Sequence, residues 1–193
     1  MKLNTKFILF GGLHMMVEIS NILTKNKIDF VVFTSERHLK SNISSNINLK
    51  KYFDKKGIKY FKLIKINDLH EIKYKKYFNK GVIGLSLSSD HIFTQKEINL
   101  FDSKLYNIHA SNLPDMRGAG GFTWNILMQK FTGGVTLHKI SKKIDEGDII
   151  LQKKYVFPKN TRNSLKKMKK FSISLENKMV KEFVKMILNK KKM

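Results

Sequence analysis

The sequence predicts an α/β fold: a mainly parallel sheet covered on both faces by helices, an antiparallel element near the C-terminal end, and a long C-terminal helix. Three observations carry this prediction. Short apolar runs alternate with stretches of helical periodicity as far as residue 109, the pattern of strands joined by crossover helices. Two further strand-like runs, 133–141 and 147–157, are separated by a loop too short for a crossover helix, so they must pair antiparallel if adjacent. From Asn163 onward, Leu165, Met168, Phe171 or Ser172, Leu175, Met179, Phe183 and Ile187 recur at three-to-four spacing and leave a lysine-rich face for solvent.

The elements follow in order. "KFILFGG" is a compact apolar run closed by Gly11 and Gly12 and reads as a buried first strand. "HMMVEISNILTK" places Met15, Met16, Ile19, Ile22 and Leu23 on one helical face. "IDFVVFTS", rich in β-branched and aromatic residues, is the second strand. "NLKKYFDKK" reads as a helix stopped by Gly57, and "IKYFKLI" as the third strand. The lysine-heavy "DLHEIKYKKYF" is expected to be helical. "GVIGLSLS" is the fourth strand, and "TQKEINLF" a short helix with Thr94 and Glu97 at capping-box spacing. "KLYNIHAS" is the fifth strand, and "FTWNILMQ" a helix after a glycine-rich turn.

Composition narrows the function. A chain of 193 residues suits one domain, expected to span 1–193, with a core of normal size. The absence of cysteine excludes disulfides, a thiolate nucleophile and thiolate-ligated metal. Histidines are scattered without ligand spacing, so no metal is expected. No apolar run is long enough to span a membrane, and the start lacks a cleavage pattern, so the expected location is the cytoplasm, with no membrane partner. The net charge of +23 comes almost wholly from lysine; Arg37, Arg117 and Arg162 are the three arginines. Base and phosphate readers favour the planar arginine fork. The charge is therefore read as solvated surface that favours an anionic substrate, with no specific nucleic-acid partner.

The rare residue types gather between Tyr106 and Leu127, "YNIHASNLPDMRGAGGFTWNIL". Strand alternation turns Asn107 and His109 to one side and Ile108 to the other. Both polar residues fall at the carboxyl end of the fifth strand, where open sheets bind ligands. An amide beside an imidazole suits an oxyanion stabiliser beside a base. Pro114 fixes a turn, and Gly118, Gly120 and Gly121 let backbone approach a ligand. A carboxylate comes from "KKIDEGDII": Asp145 or Asp148 can reach His109 if the sixth strand lies beside the fifth, and D-x-G spacing favours Asp145. Such a carboxylate would raise the pKa of His109 and fix its tautomer. His138 reads either as a pocket residue or as a buried structural one, and Phe122 and Trp124 either as core or as ligand stackers. His14, after Gly11 and Gly12 at the start of the first helix, is a candidate for meeting a substrate phosphate.

Asn107-Ile108-His109, then "SNLPDMRG", then a strand and "IDEGDII", resembles the folate-dependent formyltransferase family over roughly residues 85–151. That family includes glycinamide ribonucleotide, methionyl-tRNA and sugar N-formyltransferases. The resemblance implies a three-layer, Rossmann-like formyltransferase fold, 10-formyltetrahydrofolate as formyl donor and a primary amine as acceptor. It places Asn107 on the formyl oxygen, His109 as proton donor or acceptor, and Asp145 as the group that orients a water and keeps His109 basic. Backbone around His91, Ile92 and Phe93, and around Ile140, Ser141 and Asp145, would border the pterin. Gly11, Gly12, His14, Arg117 and Gly118 are the expected acceptor contacts.

The chain also departs from family patterns. "GGLHMM" replaces the phosphate-gripping Gly-Ser-Asn turn of glycinamide ribonucleotide formyltransferase, and nothing after the last helix matches the tRNA-holding domain. An aromatic pair after "RGAGG" fits the sugar branch. The first expectation is therefore an amino sugar on a nucleotide, and the second glycinamide ribonucleotide. A homodimer is compatible with either. The competing class is a non-catalytic basic module for nucleotide or RNA, which predicts steep salt dependence and no need for Asn107 or His109.

Overall fold

The computed structural model describes residues 6–189. Seven strands form one sheet: β1 (Phe7–Gly11), β2 (Phe30–Thr34), β3 (Tyr60–Lys62), β4 (Ile83–Leu87), β5 (Leu105–His109), β6 (Thr132–Lys139) and β7 (Ile149–Val156). Their order is β3-β2-β1-β4-β5-β6-β7. Pairing is parallel from β3 to β5 and antiparallel at β5–β6 and β6–β7. The expected antiparallel element is thus the β6–β7 hairpin laid against β5. Its register sets Asn107 opposite His138 and His109 opposite Thr136.

The helices are α1 (Leu13–Lys25), α2 (Glu36–Lys40), α3 (Leu49–Lys56), α4 (Gln95–Asn99), α5 (Gly121–Leu127) and α6 (Leu165–Asn189). The segment "DLHEIKYKKYF" is not a continuous helix but two 3₁₀ turns, Ile66–His70 and Ile72–Tyr77. Its apolar residues are too few and too irregularly spaced for a full α-helical stripe, and burial falls on Leu69, Tyr74 and Tyr77. Helix α2 is an addition to the sequence reading. Ser35 caps it by accepting from the His38 N–H.

Alternation along the strands divides the core into two layers. Leu9, Leu85, Ile108, Val135 and Leu137 pack against α1, α3 and α6. Ile8, Phe10, Phe33 and Leu105 pack on the other face with Phe93, Phe101, Tyr74 and Tyr77. The capping box expected at Thr94 forms: Glu97 accepts from the Thr94 N–H and hydroxyl and pairs with His70 at 2.8 Å, although its side chain is fully buried. Burial pushes its carboxyl pKa up, but the bonds from Thr94 and His70 prevail and hold it below the usual value. This anchor fixes the segment 88–94, which passes the carboxyl ends of β4 and β5.

The buried face of α6 is not wholly apolar. Ser172 and Glu176 lie in it among Met168, Met179, Val180, Phe183 and Val184. Buried polar groups need partners, and these have them. Ser172 donates to Glu176 at 2.7 Å, Tyr155 on β7 donates to Ser172 at 3.2 Å, and His14 on α1 pairs with Glu176 at 2.9 Å. Burial pushes the Tyr155 hydroxyl up to about 12, so it stays a donor. No described helix is long and apolar enough to cross a membrane.

Candidate active site

Beyond the carboxyl ends of β4 and β5 lies a cavity of about 530 Å³, well within the range of small-molecule sites. Its walls bring together segments far apart in sequence. Asn107 and His109 enter from the end of β5, His138 from β6 and Asp145 from the β6–β7 loop.

Asp145 is the hub. One carboxylate oxygen lies 3.4 Å from Nε2 of His138 and the other 3.7 Å from Nδ1 of His109. The latter also accepts the Gly118 N–H at 2.9 Å. The Asp145 side chain is 11% exposed. Burial is the largest influence on its pKa and acts upward. The bonds from His138 and Gly118, with the nearby imidazole of His109, outweigh it and hold the carboxyl at about 2. Asp145 is therefore an anion at any working pH.

The imidazoles have defined surroundings. His109 Nε2 is 3.0 Å from the Met116 carbonyl, so that nitrogen carries the proton and Nδ1 faces Asp145. A second proton, on Nδ1, would point at a carboxylate. His138 is buried, and its Nδ1 lies 2.8 Å from the Lys139 carbonyl, which only a donor can satisfy. Nε2 lies between two partners: in the neutral ring it accepts from Asn107 Nδ2 at 3.1 Å, and with a proton it donates to Asp145 at 3.4 Å. The amide nitrogen carries two hydrogens. One fixes the amide on His138, and the other is left for a ligand in the cavity.

The lining also includes His91, Ile92, Phe93, Ile140, Ser141 and Gly118, all candidates from the sequence. Gly11, Gly12, His14 and Arg117 are not among its walls. Gly12 donates its N–H to Leu87, and a Cβ there would lie 2.6 Å from the His38 ring. Arg117 pairs with Glu146 at 2.8 Å, beside the Gly118–Asp145 bond, so two links join the glycine turn to the β6–β7 loop. Asp148 is exposed and pairs with Lys139 at 3.0 Å. Phe122 lines the cavity, whereas Trp124 is 55% exposed and belongs to no core. The role of His138, left open by the sequence, follows from its register opposite Asn107. That signal was available only once β6 was known to pair with β5 antiparallel.

Taken together, an α/β sheet edge brings an amide with a spare N–H, two imidazoles and an ionised carboxylate to one end of a cavity, the kinds of group that can stabilise an oxyanion and move protons in group transfer. The chain belongs to the formyl transferase family, whose model matches residues 6–179. It is 31% identical over 129 residues to the bifunctional polymyxin resistance protein ArnA of Wigglesworthia glossinidia brevipalpis, covering 65% of this chain and 20% of that protein. It is likewise 31% identical over 125 residues to a methionyl-tRNA formyltransferase of Coprothermobacter proteolyticus, covering 59% of this chain and 41% of the relative. Among solved structures, an N-formyltransferase from Helicobacter canadensis, in complex with folinic acid and dTDP-3-aminofucose, superposes with a TM-score of 0.76 at 26% identity, covering 96% of this chain and 65% of that one. The chain thus spans between a fifth and about two thirds of the length of these relatives.

Proposed function

We propose that this chain transfers a formyl group from 10-formyltetrahydrofolate to a primary amine on a nucleotide-linked amino sugar. One observation carries the reading: His109 and His138 converge on the largely covered anion of Asp145, and Asn107 bonds to His138, at one end of the cavity whose other walls include 91–93 and 140–141. The cavity suits a reduced folate. Ile92, Phe93 and Ile140 offer apolar contact, and its volume of about 530 Å³ accommodates a bicyclic ring and part of its arm.

In the overall chemistry, a C–N bond forms at the amine and the bond from the formyl carbon to the donor nitrogen breaks; the amine loses a proton and the donor nitrogen gains one. Asn107, held by His138, presents its free N–H to the formyl oxygen as negative charge grows there. His109 takes the proton leaving the amine. Asp145 holds the resulting imidazolium and orients the water through which that proton moves on. No covalent enzyme adduct is needed.

Support for the sugar-nucleotide acceptor comes from the Helicobacter canadensis relative, crystallised with folinic acid and dTDP-3-aminofucose. The basic chain suits a phosphorylated acceptor. The decisive assay incubates the protein with 10-formyltetrahydrofolate and a panel of amines: dTDP-linked amino sugars, glycinamide ribonucleotide and methionyl-tRNA. A mass gain of one formyl group on a sugar nucleotide is expected. Formylation of another acceptor alone would overturn the choice of substrate, and formylation of none would overturn the reaction.

A further inference from the structure

We propose that Gln152, on β7, is a positioning residue for formyl transfer: through Thr136 and the turn after β5 it fixes the carbonyl that holds the imidazole of His109. This inference rests on the formyl-transfer reading above. Strand register supplies the route. His109 on β5 stands opposite Thr136 on β6, and Thr136 stands opposite Gln152 on β7. Residues directly opposite on paired strands send their side chains to the same face, so the three form a row across the sheet. Gln152 lines no wall of the active-site cavity, so it acts only through this row.

The row is joined by hydrogen bonds whose direction is set at each step. The Leu113 carbonyl can only accept, so the amide nitrogen of Gln152 faces it, at 2.7 Å, and the same nitrogen lies 3.0 Å from the Thr136 hydroxyl. Both amide hydrogens are then used. The Thr136 hydroxyl, fully buried, donates to the Ser111 carbonyl at 2.8 Å and also accepts the Leu113 N–H at 3.4 Å. Its hydrogen and both lone pairs are thereby occupied. Gln152 and Thr136 together grip the turn by the Ser111 carbonyl, the Leu113 N–H and the Leu113 carbonyl. Ser111 in turn donates its hydroxyl to the Met116 carbonyl, the oxygen that lies 3.0 Å from Nε2 of His109. Removing the Gln152 donors strands the buried Leu113 carbonyl without its partner and loosens the turn that presents Met116. A displaced Met116 carbonyl frees the His109 ring to rotate and to carry its proton on Nδ1, the nitrogen that has to receive the proton from the amine.

The test compares Gln152→Met, which keeps the length of the side chain and removes both donors, with Thr136→Ser, which keeps the hydroxyl. Circular dichroism confirms folding, and two readouts follow. The first is imidazole nitrogen NMR, with the His109 signal identified by its absence in His109→Ala. Wild type and Thr136→Ser should show one tautomer, protonated at Nε2, and Gln152→Met should show both. The second is steady-state formyl transfer. In Gln152→Met kcat should fall about tenfold, the scale of a misoriented base, with KM for donor and acceptor within about twofold of wild type. A purely structural role would lower Tm and leave both readouts alone, and that result overturns the proposal. So does a rise in KM with kcat unchanged in Gln152→Met, or loss of the single tautomer in Thr136→Ser. If Gln152→Met does not fold, Thr136→Val against Thr136→Ser makes the same comparison, shape without hydroxyl against hydroxyl without methyl. The expected tautomer pattern in a protein that formylates no amine would sink the reaction and leave the positioning. Transfer by Gln152→Met at the wild-type rate would sink the positioning and leave the reaction.

Discussion

The turn after β1 and the turn after β5 both leave the carboxyl edge of the sheet, contain glycines, carry a histidine and lead into a helix. Their surroundings differ. After β5, His109 looks into a cavity and meets a largely covered carboxylate that also contacts His138 and a backbone N–H. After β1, the space is filled: Gly12 packs against the buried His38 ring, and His14 is taken up by Glu176 of α6. A glycine-rich turn at a strand end is therefore a position where a site can form. The site itself needs open volume and polar groups left with capacity to spare.

The sharpest way to break this comparison is to remove one histidine at a time. His109→Ala and Asn107→Ala should each lower kcat by about two to three powers of ten, the usual effect of losing an oxyanion donor or general base. Folinic acid binding should persist, because both side chains act on charge that appears only during reaction. His14→Ala should change kcat by less than about threefold. Stopped-time formyl transfer with circular dichroism reads all three. A collapse of kcat in His14→Ala with His109→Ala near normal would reverse the roles assigned to the two turns.

The next effect belongs to Asp145. Asp145→Asn should cost about ten- to a hundredfold in kcat, since the amide keeps a hydrogen-bonding shape but not the charge. The pH dependence has a defined sign. The carboxyl titrates at about 2 in the folded chain against an ordinary 3.8. A lowered carboxyl pKa adds stability that is present above the ordinary value and is lost as pH falls toward the folded one. Wild type should thus lose this contribution between about pH 4 and 2, while Asp145→Asn shows no such loss. Acid unfolding of the two proteins gives the comparison. Between pH 5 and 9 the charge on Asp145 is constant, so any bend in the rate profile there reports other groups.

Local pattern explains why one turn was legible in the sequence and the other was not. Period-two alternation suffices to put Asn107 and His109 on one side of β5, and the D-x-G spacing suffices to pick Asp145 over Asp148. His138 needed a long-range fact, the antiparallel register that sets it opposite Asn107. The His14–Glu176 pair was out of reach for the same reason, because its partners are 162 residues apart. The periodicity of α6 gave its direction toward the core correctly. It left Phe171 or Ser172 open for that face and could not show that Glu176 shares it, since His14 on α1 and Tyr155 on β7 complete the buried polar group. Helix α2 was missed because five residues are too short for a periodic signal.

If His14 and Glu176 are structural, their removal should be seen in stability. Glu176→Ala strands Ser172 and His14 without their shared acceptor and should destabilise by about 1–3 kcal/mol, lowering Tm by roughly 2–4 °C per kcal/mol for a domain of this size. Glu176→Gln, which can still accept and donate, should recover part of the loss. Thermal denaturation of the two variants, with kcat measured below their transitions, tests this. Unchanged Tm with a large rise in acceptor KM would move Glu176 from the core to the substrate.

The smallest expected effect separates the chain-wide charge from both turns. The net charge of +23 acts over distance, and salt shortens that distance to about 10 Å at 0.1 M and 3 Å at 1 M. The residues assigned to the chemistry form a chain of contacts under 4 Å, Asn107–His138–Asp145–His109, and the side chains of the last three are at most 16% exposed. Raising salt should therefore increase KM for a phosphorylated acceptor by a few-fold, through slower capture, and leave kcat nearly constant. An uncharged amine acceptor, if it reacts at all, should show almost no salt effect on either constant. The two acceptors assayed across a salt series make the contrast internal to one protein. A fall in kcat that tracks salt for both would mean that surface charge reaches the reacting groups, and the division between a steering exterior and a screened site would have to be abandoned.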